Sequence, residues 1–210
     1  AAQVMASGTP SHIATTVIDC LTEASKAVAP DSQNQDVPLD ALARACEAIE
    51  PVLASLGGAF GFAQSDLVKK VAATKKRVAA GTTTAIQALD ADIAGGKPKD
   101  SGSAARDLKR MVYLLWFVEL LLVKLGEGLE LKQALPAAYA PTMETYHGWV
   151  LGKTVRAAFI AAPTTDAFLQ TIGETRESIP ASSARFSGIC HPVVDFLVKT
   201  YEAKGLGGNW

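Results

Sequence analysis

An all-α fold is predicted by three features of this sequence. Apolar residues recur three and four apart over long stretches, as one buried face of a helix requires. Nowhere do four or more residues alternate apolar and polar between hairpin turns. No glycine-rich loop follows a strand-like run.

The elements follow in chain order. Residues 1–36 are read as an N-terminal helix and a polar connector belonging to the same fold as the rest. From Leu39 the apolar residues Leu42, Cys46, Ile49, Leu53 and Leu56 draw one stripe down a helix, which Gly57 and Gly58 end or bend. A second helix is expected over residues 60–79. It carries Phe62, Leu67, Val68, Val71 and Val78 on an apolar side and Lys69, Lys75, Lys76 and Arg77 on a wet one, and Gly81 stops it. Residues 82–93 read as another helix and residues 95–103 (GGKPKDSGS) as a loop. A longer helix starts near Ala104 or Ala105. Pro136 and Pro141 bracket a break, after which residues 147–162 read helical up to Pro163. Thr164 or Thr165 caps a following helix with Phe168, Leu169 and Ile172, and Asp166 sits in its dipole-favoured first turn. A final helix is expected from His191 or Val193 to Lys204.

Composition narrows the function classes. With 210 residues, one medium-sized domain is the leading expectation and two small ones the alternative. At 49% hydrophobic and 20% charged, the chain has enough apolar surface to bury against its conformational entropy, which excludes a disordered polyelectrolyte. Twenty basic residues against twenty-one acidic ones give a net charge of -1, so no global field draws nucleic acid or anionic lipid, and any anion recognition is local. Cys20, Cys46 and Cys190 have neither disulfide nor metal-ligand spacing, which fits reduced thiols and a cytoplasmic setting. Residues 1–10 lack a basic patch followed by an apolar run, so no secretory leader is expected there. The most apolar run, residues 111–125, is short for a bilayer and is interrupted by Glu119 and Lys124, so it reads as a buried helix.

The search for catalysis finds no HExxH, no GxSxG, no phosphate loop and no paired-cysteine motif; no metal site and no cofactor are expected. Charges on otherwise apolar helices stand out instead. Asp66 and Lys70 lie one helical turn apart, which on its own is an ordinary surface ion pair. Arg106 and Arg110 repeat that spacing with like charges. Two stacked arginines point to something anionic between them, and the ordinary reading is relief by Asp107. His147 precedes Gly148 and Trp149 at a helix start. Its plain reading is structural, as Trp149's is core, while a tryptophan also suits a lipid interface.

Together, the ordered set Asp66, Lys70, Arg106, Arg110 and His147-Gly148-Trp149 resembles the glycolipid transfer protein family, and in particular its ceramide-1-phosphate branch. Residues 60–71 (FGFAQSDLVKKV) resemble the family's first recognition helix and residues 106–110 (RDLKR) its second. Residues 146–164 (YHGWVLGKTVRAAFIAAPT) resemble its most recognisable segment, and residues 206–210 (LGGNW) its closing tail. In the sugar-binding branch an asparagine stands at the place of Lys70 and a tryptophan at that of Arg110; here both are cationic. Ala73 stands where sugar-binding members often carry lysine, and Met111-Val112-Tyr113 replaces a common Lys-Arg-Gly run.

The resemblance implies an all-α, two-layer helical sandwich of about eight helices around a hydrophobic lipid pocket, with residues 37–210 as the sphingolipid transfer domain. It implies non-enzymatic transfer of ceramide-1-phosphate between membranes. Lys70, Arg106 and Arg110 are then the phosphate ligands, Asp66 and His147 bind the ceramide amide, and Trp149 meets the membrane interface. Phe62, Val71, Leu114, Leu115, Phe117, Val118 and Phe159 are candidates for the dry lining. The expected partners are the sphingolipid and, transiently, membrane surfaces, with no nucleic acid and a monomeric state. The alternatives are a glycosylceramide carrier, a sphingolipid sensor that signals through a protein partner, and a helical enzyme acting on an anionic metabolite.

Overall fold

The computed structural model describes residues 11–208. The readings made on residues 1–10 and on the last two residues of the tail, Asn209 and Trp210, lie outside the described residues. Among the described residues the architecture is helical, with no strand. One isolated bridge joins Pro38 to Thr84, tying the starts of two helices together.

The helices are α1 (Ile18–Ala27), α2 (Leu39–Ala48), α3 (Glu50–Ala54), α4 (Gly61–Ala79) and α5 (Ala85–Ala94), then α6 (Ala104–Gly126), α7 (Leu131–Thr142), α8 (Trp149–Ala161), α9 (Thr165–Thr171) and α10 (Ile179–Ala203). A π-helical turn at Ile13–Val17 leads into α1, and 3-10 turns at Gly58–Phe60 and Glu144–Tyr146 precede α4 and α8. The central element is α6, which packs along α10 and against α4, α5 and α7. α4 leans on α2, α2 on α1, and α1 returns to α10, so five helices close a ring around the core. Gly126 permits the close α6–α10 approach, because a Cβ there would collide with Ser183 Oγ.

Three expectations need correction. The single stripe from Leu39 to Leu56 is two helices, since Pro51 has no N–H to bond back and sits in the first turn of α3, where that loss is harmless. Pro136 and Pro141 do not bracket a break; both lie inside α7. Burial of Leu131, Ala134, Leu135, Ala138 and Tyr139 against α6 outweighs the missing helix bonds, and the break falls after Thr142. The last helix starts at Ile179, twelve residues before His191, and runs through Pro192 for the same reason: Ile179, Phe186, Cys190, Val193 and Leu197 form a continuous buried stripe along α6. Elsewhere local signals decide. Thr84, Ser103 and Thr164 accept backbone N–H bonds at the starts of α5, α6 and α9. Gly57, at φ +98°, supplies the left-handed residue that turns the chain into α4.

Candidate lipid headgroup site

The site is built on one face of α6. Arg106, Lys109, Arg110, Tyr113, Leu114 and Phe117 recur at three and four, so they share a stripe about 16 Å long. That stripe lines a cavity of about 420 Å³, within the roughly 300–1,000 Å³ of ligand pockets. α4 contributes Phe62, Ala63 and Asp66; α8 contributes Leu151, Val155 and Phe159, spaced by four; Tyr139, Met143, Tyr146 and His147 supply the wall between α7 and α8. The stripe is cationic at its start and aromatic or aliphatic further along, as an amphiphile with an anionic head would require.

Asp66 joins the two charged helices. Its carboxylate oxygens lie 3.3 Å from Lys70 Nζ and 3.7 Å from Arg110 Nη1. Lys70 is also 3.3 Å from Asp107, whose second oxygen is 3.0 Å from Arg77 Nη2. Asp107 is 3% exposed, and a carboxylate so buried is tolerable because a cation meets each oxygen. Arg106 is anchored at the rim by donating to the Lys99 carbonyl at 3.1 Å. Arg110 has a 48% exposed side chain and, among the described residues, only the long ion-pair contact to Asp66, which leaves its fork accessible from the cavity.

Lys109 is 3% exposed and directs its ammonium toward the C-terminal segment, donating to the carbonyls of Leu206 at 3.2 Å and Gly208 at 2.5 Å. The rings of Tyr146, Tyr201 and Tyr113 surround it at 5.2, 5.9 and 6.0 Å. Burial, and then the charge of Lys99, bring its pKa down to about 8, so it remains mostly protonated near neutrality. His147 Nδ1 stands 2.9 Å from the Tyr139 hydroxyl. Burial, followed by the Arg110 charge, holds the imidazole below its usual value and therefore neutral at pH 7.

Trp149, first residue of α8, is 74% exposed and is not among the residues that line the cavity, with Lys153 Nζ 3.7 Å over its ring. Val150 is exposed next to it and Ile160 about three turns further along α8, whose other face lines the cavity.

Of the residues singled out above, Asp66, Arg106, Arg110 and His147 meet in one cavity. Lys70 stands one layer behind, held between Asp66 and Asp107, and Trp149 is on the surface. Asp107 does not relieve Arg110; it turns to Lys70 and Arg77. Phe62, Leu114, Phe117 and Phe159 line the cavity, whereas Val71, Leu115 and Val118 pack in the solid core. Residues missed by the sequence reading are Lys109, Tyr113, Tyr139 and the pair Arg77–Asp107. Continuing the Arg106 stripe by three and seven would have found Lys109 and Tyr113; no local signal marks Tyr139. Among the described residues no group of three or more His, Cys, Asp or Glu side chains could hold a metal ion.

The chain is similar to known proteins over nearly its whole length. It is 28% identical over 187 residues to accelerated cell death 11 of Arabidopsis thaliana, covering 88% of this chain and 90% of that protein. It is 22% identical over 187 residues to the ceramide-1-phosphate transfer protein of Xenopus tropicalis, covering 82% and 87%. A crystal structure of a mutant of the Arabidopsis protein complexed with ceramide-1-phosphate superposes with a TM-score of 0.86 at 25% identity, over 94% of this chain and 98% of that one. A family model for glycolipid transfer protein (GLTP) matches residues 37–174, and the chain belongs to that family.

Proposed function

We propose that this protein carries ceramide-1-phosphate between membranes without making or breaking a bond, as a monomeric cytoplasmic shuttle that touches bilayers only transiently. The observation that carries this reading is the convergence of Arg106, Arg110 and Asp66 at the polar end of a cavity whose remaining wall is largely apolar. A phosphate monoester bears about -1.5 to -2 near neutral pH. On the cavity wall Arg106, Lys109 and Arg110 against Asp66 leave two positive charges to meet it, with Lys70 behind them between Asp66 and Asp107, and the arginine fork matches phosphate oxygens. Asp66 can only accept when ionised, so it suits the amide N–H and sphingoid hydroxyl, while His147 donates to the amide carbonyl. A glycerol lipid lacking that N–H leaves Asp66 unsatisfied.

The chains explain the need for a carrier. Each methylene exposed to water costs about 0.8 kcal/mol, so twenty or so set a barrier on the order of 16 kcal/mol to unaided escape. Leu114, Phe117, Val155 and Phe159 offer a dry wall instead. Trp149, with Val150 beside it, presents an apolar body with a polar N–H to the bilayer interface.

Transfer between vesicles tests this directly. At substoichiometric protein, labelled ceramide-1-phosphate is expected to move from donor to acceptor vesicles, and glycosylceramide is expected not to compete. Arg110→Glu is expected to lower the rate at least tenfold with an unchanged melting temperature, because this exposed side chain contributes little to folding. Preferential pickup of the sugar lipid, or full transfer by Arg110→Glu, overturns the reading.

A further inference from the structure

Tyr139 belongs to the buried stripe of α7, and its hydroxyl meets the cavity wall at His147 Nδ1, 2.9 Å away. Among the described residues this hydroxyl has no other hydrogen-bond partner. A phenol oxygen both donates and accepts, but an imidazole nitrogen does one or the other. Were the ring proton on Nδ1, the buried Tyr139 O–H would face no acceptor, which buried hydroxyls avoid. The O–H therefore donates, Nδ1 accepts, and the single ring proton of neutral His147 resides on Nε2. The ring lies 5.5 Å from that of Tyr139, which Phe159 in turn holds edge-on at 5.4 Å, so the pair has little room to rearrange.

We propose that Tyr139 is a positioning residue for ligand recognition: by donating to Nδ1 it locks His147 as an Nε2–H donor into the cavity. The consequence is a matched pair of probes. Asp66 offers only acceptors and His147 only a donor, the complement of an amide's N–H and C=O. With the tautomer reversed, Nε2 would set a lone pair against the amide carbonyl and the discrimination would collapse. The identity of the amide rests on the function proposed above; the tautomer does not.

The experiment uses the full chain with ring-labelled histidine. Proton–nitrogen correlation spectra of the lipid-free protein report each imidazole's tautomer, and His147→Gln assigns the His147 signal. The wild type is expected to show Nε2–H, and Tyr139→Phe a mixture of both forms with unchanged helicity. Binding of short-chain ceramide-1-phosphate is expected to weaken about fivefold in Tyr139→Phe, the effect of one weakened hydrogen bond. In the His147→Gln background the same change is expected to have no further effect. An Nδ1–H signal in the wild type, an unaltered tautomer in Tyr139→Phe, or additive losses in the double variant overturns the proposal. If the wild type binds no ceramide-1-phosphate, the proposed function fails while the spectra still decide the role of Tyr139.

Discussion

α6 buries two carboxylates about 18 Å apart, and they live in opposite circumstances. Asp107, at the cavity end, has Lys70 on one oxygen and Arg77 on the other. Glu119, in the seam with α10 and 1% exposed, receives Ser187 Oγ at 2.7 Å and His191 Nδ1 at 3.2 Å on the same oxygen; among the described residues its second oxygen is buried without a hydrogen-bond partner. Burial pushes the Glu119 carboxyl above its ordinary range, and its Ser187 and His191 contacts oppose that push. Equal burial thus has two outcomes. A carboxylate flanked by cations becomes the frame of a charged site, and one whose contacts are a hydroxyl and an imidazole on a single oxygen becomes a group that resists ionisation.

The largest effect expected from this contrast belongs to Asp107→Ala. It removes the carboxylate that the partly buried Lys70 and Arg77 share, and among the described residues Arg77 Nη1 is already buried without a hydrogen-bond partner. Removing one member of such a cluster costs about 3 kcal/mol, read as a lower midpoint in urea unfolding. Lys70 loses one of its two anchors, so ceramide-1-phosphate transfer is expected to fall as well. A stability loss below about 1 kcal/mol would mean that the frame is ornamental, and the comparison with Glu119 would break.

The same contrast separates what was legible in the sequence from what was not. The pairs Asp66–Lys70 and Arg106–Arg110 are visible because each lies on one helix at a spacing of four, where geometry is local. That α4 and α6 bring the two pairs together is tertiary, and only the family resemblance carried it. Spacing assigns Asp107 to its near neighbour Arg110, because only near neighbours can be read that way; its actual partners, Lys70 and Arg77, lie on another helix, Arg77 thirty residues away. Lys109 sits on the readable stripe, yet a lysine is ordinarily expected at the surface, and its tethering carbonyls lie nearly a hundred residues on. Helix bounds follow the same rule: Pro136, Pro141 and Pro192 are strong local breakers, and burial against α6 outweighs all three.

Glu119→Gln sharpens the comparison from its other side. A carboxyl whose folded pKa lies above its unfolded value of about 4.3 is neutral in both states in strong acid. As pH rises past that value the unfolded chain releases its proton first, so stability falls until the raised folded pKa is passed. The glutamine variant lacks this slope. Its amide still accepts from Ser187, and the loss of a costly buried charge offsets an unpartnered N–H, so its stability near neutral pH is expected within about 1 kcal/mol of the wild type. Unfolding free energies of both proteins across the acid-to-neutral range give a difference curve that isolates this group. A flat curve, or a variant weaker by more than about 2 kcal/mol at neutrality, would show that the Glu119 charge is as well paired as that of Asp107.

The smallest effect is expected at His191, whose side chain is mostly exposed. Ion pairs with a solvated member contribute little, so His191→Ala is expected to cost no more than about 0.5 kcal/mol at neutral pH. Its informative consequence is displaced onto Glu119. Both the charge and the hydrogen bond of His191 pull the Glu119 pKa downward, so removing them leaves burial less opposed. The pH region over which Glu119 drains stability should therefore extend further upward in His191→Ala, and that extension should vanish when Glu119→Gln is added. Asp107 offers no such handle, because its partners are a lysine and an arginine and no imidazole. An unmoved profile in His191→Ala would leave Ser187 as the sole effective partner of Glu119 and make the two carboxylates more unlike than their contacts indicate.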